Sequence, residues 1–262
     1  MVAQVRARLA WLGMGLAIGA LIIAAGALLP YGSPVALLLF DYRDGAMPPF
    51  PFTIACFEWL TFGIGIGEIA RHSRRARLEQ QQLDRALLPE DETVMLDARS
   101  LLPFTRTIKA SATGPFRLQR LLLRSIWQFQ SSNSVSQAAG IMDSTLELFQ
   151  HELDLQYNLS RYIAWLLPTI GFIGTVLGLG RGLAGIAAGN LDPAKTEQFQ
   201  KVLQHTVYDL SIAFNTTFLA LVLSSILVLL QQLVQEQEEY ALNEVGQYCI
   251  DHLINKLYVS EK

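Results

Sequence analysis

Four stretches of this chain are apolar, nearly free of charge and each as long as a bilayer-crossing helix. A helix rises about 1.5 Å per residue and the hydrocarbon core is about 30 Å thick, so a span takes about 20 apolar residues. Leu9 to Leu29 is uncharged, and Phe50 to Gly67 carries one acid, Glu58. Tyr162 to Gly180 is uncharged and stays apolar past Arg181; Leu210 to Leu230 is uncharged. With 51% hydrophobic and 16% charged residues among 262, the composition excludes a disordered chain, and a chain this short cannot surround four such helices in a soluble core. The expected fold class is all-α: a polytopic membrane protein with four transmembrane helices and a cytoplasmic helical region. The first stretch is longer than the about 7–15 apolar residues of a cleavable signal and reads as an uncleaved anchor.

Lys and Arg set the orientation. Arg6 and Arg8 precede the first span, Arg71, Arg74, Arg75 and Arg77 follow the second, and Arg161 precedes the third. The short loops on the other side carry Arg43, Lys195 and Lys201. Both termini and the long middle segment are therefore expected in the cytoplasm, with a first transmembrane hairpin over residues 1–70 (spans 9–29 and 50–70), a cytoplasmic helical region over 71–160, a channel-forming hairpin over 161–232 (spans 162–188 and 208–232) and a cytoplasmic C-terminal helix over 233–262. Pro30, Pro34, Pro48 and Pro49 break helices in the first outer loop, where Val35 to Phe40 is expected at the interface. In the middle region Leu118, Leu121, Leu122 and Ser125 recur at helical spacing. A second helix is expected from about Ser136 into span three, with Met142, Leu146, Phe149, Leu153 and Leu155 on it, and Thr113-Gly114-Pro115 marks a break. Leu233 to Leu257 reads as an amphipathic continuation of span four. Cys56 falls in span two and Cys249 in the tail, so a disulfide is not expected.

Span three carries Gly171, Gly174, Gly178, Gly182, Gly185 and Gly189, three or four apart along one stripe. Glycine costs about 1 kcal/mol in a helix interior. Such a stripe therefore points to close approach of another helix, as in small-xxx-small packing. Thr175 lies on the same side, and Pro168 frees a carbonyl and permits a kink. Span four holds Ser211, Asn215, Thr216, Thr217, Ser224 and Ser225. Ser211, Asn215 and Ser225 share one face; Thr217, Ser224 and Gln231 share another. Hydroxyls and an amide at membrane depth either line a wet ion path or act as polar glue between helices.

Glu58 is a possible intramembrane acid, a functional candidate or a side chain bonded to a hydroxyl or snorkelling through water. Glu68 and Arg181, near the span ends, are expected to reach the interface, and Asp209 to cap span four and meet entering cations. His72, His151, His205 and His252 lie outside the spans and are assigned no site. No nucleophile–base set and no metal-ligand spacing is apparent, so an enzyme is not expected, nor any cofactor beyond a transported H+ or Na+. The arginines after span two suit anionic lipid headgroups rather than nucleic acid.

Two runs carry a family resemblance. Leu167-Pro-Thr-Ile-Gly-Phe-Ile-Gly-Thr-Val-Leu-Gly-Leu179 resembles the third-helix motif of the MotA/TolQ/ExbB proton-channel family, and Asp209-Leu-Ser-Ile-Ala-Phe-Asn-Thr-Thr-Phe-Leu-Ala-Leu221 its last-helix motif. The resemblance covers roughly residues 160–235, and the four-span layout is similar to the flagellar-stator branch. It implies a subunit of the bacterial inner membrane that forms a homopentamer around single-span MotB/TolR/ExbD-like partner helices, which supply a membrane Asp. It also implies that Thr175 and Thr217 face the pore, that Thr216 is the additional threonine of some stator proteins, and that Pro168 is the kink. Three positions depart from the pattern: Ile212 stands where ExbB-like members carry a glutamate, Ala220 where a glycine is common, and Arg181 is an unusual charge. The function so implied is an ion-channel subunit of a proton- or sodium-motive-force-driven motor. The alternative is a non-conducting membrane scaffold whose glycine and hydroxyl faces only pack helices.

Overall fold

The structure is a computed structural model and describes residues 2–43, 48–89, 91, 94–111, 116–188 and 196–259. Its elements are α1 (Val2–Gly26), α2 (Pro34–Phe40), α3 (Ile54–Leu83), α4 (Leu101–Ser111), α5 (Arg117–Ser132), α6 (Val135–Gln156), α7 (Asn158–Ala188) and α8 (Thr196–His252), with a 3-10 turn at Ile254–Lys256. They form two compact units, Met1–Arg71 with Leu159–Gln232 and His72–Asn158 with Leu233–Lys262.

Three helical stretches are long and apolar enough to cross a membrane: Arg6–Gly26, one within Val135–Ala184 and one within Val202–Lys256. The second expected span lies on α3, which falls short of that hydropathy because Glu58, Glu68 and Arg71 interrupt its apolar half.

In the first unit α1 and α3 meet backbone to backbone. A Cβ on Gly15 would run into the carbonyl of Gly63, one on Gly63 into the carbonyl of Gly15, and one on Gly67 into the carbonyl of Trp11. Glycine at these places lets two helix backbones touch, the same physics as the stripe on span three. Gly63 and Gly67 thus form a packing surface, matched by Gly15 and Gly19 on α1. The stretch expected at the interface is α2, a two-turn helix. It is started by Pro34 and by the Ser33 hydroxyl, which accepts from the Ala36 N–H at 3.3 Å. Asp41 ends it in the left-handed region (φ 49°), its N–H on the carbonyls of Ala36 and Leu37. Thr53 donates its hydroxyl to the Phe40 carbonyl at 2.7 Å and Trp59 its indole N–H to Leu39 at 2.9 Å, which ties α2 to α3.

The second unit has an ordinary apolar core. Leu118, Leu121, Leu122 and Ser125 form the buried face of α5, as their spacing predicts. The helix expected from about Ser136 into span three is two helices. The Ser134 side chain caps α6, and the chain breaks at Tyr157 before α7 begins. Met142, Phe149 and Leu153 are buried, but Leu155 is 54% exposed, because it lies two residues from Leu153 and so on the other side of the helix. After Leu233, α8 runs to His252 and then tightens into the 3-10 turn instead of continuing to Leu257. Leu96 pairs with this tail in an isolated parallel bridge to Leu257. The expected break at Thr113-Gly114-Pro115 lies outside the described residues.

Candidate functional site

The glycine stripe of α7 packs on α8. A Cβ on Gly171 would lie 2.6 Å from the Ala220 methyl, and one on Gly182 3.2 Å from Thr206 Cγ2. Cβ atoms on Gly174 and Gly178 would overlap Thr216 Oγ1 and the Ala213 methyl. Ala220 supplies the methyl that fills the space Gly171 leaves. Gly185 is in α7; Gly189 lies outside the described residues.

This close approach puts two hydroxyls together. Thr175 and Thr217 are hydrogen-bonded to each other through their Oγ1 atoms. Both reach the same carbonyl: Thr217 Oγ1 lies 3.0 Å and Thr175 Oγ1 3.3 Å from Gly171 O. Thr175 Oγ1 is also 3.2 Å from the Ala213 carbonyl on α8. Thr216 donates to Ala213 O at 2.8 Å and is buried. Within one chain the threonine pair therefore lies half-buried on the α7–α8 seam. Pro168 lies inside α7, and its missing N–H leaves the Ala164 carbonyl without its helical donor. The Ser224 hydroxyl of α8 donates to that carbonyl at 2.8 Å. Thr217 and Ser224 thus share the face turned to α7. Ser211 and Ser225 are exposed and Asn215 is half-buried on the other face, beside exposed Phe214, Phe218 and Leu221.

The charges near this seam are organised in ways the sequence reading did not anticipate. Asp209 does not cap a helix, since α8 already starts at Thr196; it accepts from Arg43 Nη1 at 3.0 Å. Arg43 also pairs with Asp41 at 2.8 Å. With Arg181 these side chains line one cleft. Glu68 does not reach outward: its side chain is wholly buried and paired with Arg8 at 2.6 Å and Arg71 at 2.9 Å. Glu58 is also wholly buried, and neither of its carboxylate oxygens has a hydrogen-bond partner among the described residues. It neither bonds a hydroxyl nor snorkels. The Arg8–Glu68 pair bridges residues sixty positions apart, which no local spacing reveals.

In the second unit His72 is wholly buried, stacked on Tyr157 with ring centroids 4.2 Å apart, and its Nδ1 lies 3.5 Å from a Glu238 carboxylate oxygen. Glu79, also buried, accepts from the Arg117 N–H at 2.9 Å and so closes the start of α5, where Phe116 offers no side-chain cap. Burial pushes the Glu79 carboxyl above its ordinary range, against the pull of the Arg117 hydrogen bond and of the Arg117 and Arg75 charges. Burial likewise pushes the Cys249 thiol up to about 12. Cys56 and Cys249 are both free and buried. Among the described residues no three His, Cys, Asp or Glu side chains gather as a metal site.

The chain thus combines helices long and apolar enough to cross a membrane with a hydroxyl-bearing seam, and comparison with known proteins adds a family likeness. Residues 117–245, just under half of the chain, match the model of the MotA/TolQ/ExbB proton channel family. The match covers all of α5, α6 and α7 and most of α8, the Thr175–Thr217 pair included. The members of this family are channel subunits rather than enzymes. No curated protein and no solved structure matches the chain.

Proposed function

We propose that this chain is the ion-channel subunit of a membrane motor driven by a proton- or sodium-motive force. The observation that carries the reading is the Thr175–Thr217 pair, within the family-matched segment and only half-buried. Two hydroxyls sharing one carbonyl leave lone pairs to offer water or a cation, but no hydroxyl carries a proton at neutral pH. A carboxylate must come from elsewhere. In this reading five copies surround single-span partner helices that bring the membrane Asp, and ion flow turns the ring against them. Ser211 and Asn215 extend the polar path. The chain lies in the bacterial inner membrane with α3 as a second span, which makes four in all. The second unit and both termini are cytoplasmic.

One observation favours a plainer scaffold. Thr175, Thr217 and Ser224 all find backbone carbonyls inside the chain, as interhelical glue does. Flux separates the two. The chain is purified with a co-expressed single-span, Asp-bearing protein and reconstituted into liposomes with a pH-sensitive dye inside. The channel reading expects proton or sodium flux that falls at least tenfold in Thr175→Val/Thr217→Val, with the assembly still eluting as one species. An intact assembly without flux, or a double variant that conducts like the parent, overturns it in favour of the scaffold.

A further inference from the structure

The carboxyl of Glu58 has no part in the threonine seam, yet it is placed beside it. Along α3, Ile54, Glu58 and Gly65 fall on one stripe, four and seven residues apart. Ile54 lies against Gly174 of α7, where a Cβ would come 3.3 Å from its Cγ2, and Gly65 lies against Leu227 of α8 and Ile163 of α7. Glu58 sits on that stripe between the two contact levels, and it is fully shielded, at 0% exposure. Neither oxygen has a hydrogen-bond donor among the described residues. Glu68, ten residues on and as deeply buried, shows the contrast, since two guanidinium groups pair with it.

A water-sized cleft lined by Ile54 lies one turn of α3 away from Glu58. Asp41, Arg43, Arg181 and Asp209 line one end of it; Ile54 and Gly174, two helical turns along α7 from Arg181, line the other. Its free volume is about 30 Å³, more than one water requires. Glu58 follows Ile54 by one turn of α3, about 6 Å. The two carboxylates at the charged end are balanced by Arg43 and Arg181, with Arg43 paired to both acids. Among the described residues no charged group of α1, α7 or α8 is hydrogen-bonded to Glu58.

We propose that Glu58 is a proton-binding site within each subunit, in exchange with water through the cleft between α3, α7 and α8. The occupant is a proton and not a metal ion. A hard cation needs several oxygen ligands, and among the described residues no three His, Cys, Asp or Glu side chains gather at Glu58 to supply them. Binding a proton removes the unpaired charge, whose burial is otherwise costly. A part in transport rests on the channel reading above; the site itself does not.

The test uses the full-length chain alone in liposomes and dicyclohexylcarbodiimide, which reacts with protonated carboxyls. The acid proton passes to a carbodiimide nitrogen, a carboxyl oxygen bonds to the central carbon, and an acyl shift to nitrogen leaves a stable N-acylurea. Peptide mass spectrometry then locates the adduct. The expected result is labelling at Glu58 and not at Glu68, slowed progressively as the medium is made alkaline. Labelling is lost in Glu58→Gln and kept in Glu58→Asp, which checks that the site survives substitution. No adduct at Glu58, an adduct at Glu68 instead, or labelling indifferent to pH overturns the proposal. Because this readout needs neither a partner nor ion flux, it stands or falls apart from the channel reading.

Discussion

Ser224 of α8 completes the hydrogen bond that Pro168 removes from α7: its hydroxyl donates at 2.8 Å to Ala164 O, the acceptor four residues before the proline. A proline in a membrane helix leaves a carbonyl with no water to turn to, and a neighbouring hydroxyl is one of the few groups able to satisfy it. The pairing holds the two family-matched helices in register next to the threonine seam.

Ser224→Ala is expected to lower stability by about 1 kcal/mol, the scale of an interhelical hydrogen bond in a membrane. Pro168→Ala restores the N–H that Ala164 O lacks, so the loss from Ser224→Ala should shrink in that background. Reversible unfolding in mixed detergent micelles gives the four values of the cycle. Equal losses in both backgrounds would show that the two residues are not coupled.

The glycine stripe makes a contrast within one helix. Gly174→Ala places a methyl on Thr216 Oγ1, whereas a Cβ on Gly180 meets nothing within 4 Å. Gly174→Ala should destabilise the chain by about 1–3 kcal/mol through overpacking. Gly180→Ala should be neutral or stabilising by up to about 1 kcal/mol through helix propensity. Thermal denaturation of both variants checks this, and equal behaviour would contradict the packing described.

Thr175 and Thr217 share an acceptor and each other. Their valine substitutions should therefore be non-additive, with a coupling of about 0.6–1.7 kcal/mol. An additive pair measured in the same unfolding assay would mean that the two hydroxyls act separately.

Glu79 makes stability depend on pH. Its folded carboxyl is raised above the ordinary 4.5, so the folded state favours the protonated form. That contribution is fully present below the unfolded value and is lost as pH rises through the folded one. Glu79→Gln keeps an oxygen for the Arg117 N–H and should flatten the stability profile over that window. Glu79→Ala should also lose the cap on α5, at about 1 kcal/mol. A profile unchanged by Glu79→Gln would show that the proton is bound elsewhere.

Much of the seam was legible before any coordinates. The three-and-four spacing from Gly171 to Gly182 announces a close helix contact, and α8 provides it. The seven-residue spacing of Thr217 and Ser224 marks one face, and that face does turn to α7. The matching spacing of Gly15 with Gly19 and of Gly63 with Gly67 carried the same signal for α1 and α3. The position of Asp209 was misread because apolarity marks where a membrane core begins, while α8 starts well before it, at Thr196.

Hydropathy and periodicity are local properties, and so the chain alone determined its helical class, its membrane character and the sides on which glycine and hydroxyl groups fall. Which partner each side meets depends on groups far apart in the chain. Only the tertiary structure decided that Glu68 lies between Arg8 and Arg71, that Arg43 reaches Asp209, and that Glu58 is left with no donor among the described residues. The energy of a buried charge is set by what surrounds it in space, and identical glutamates on one helix can therefore meet opposite fates.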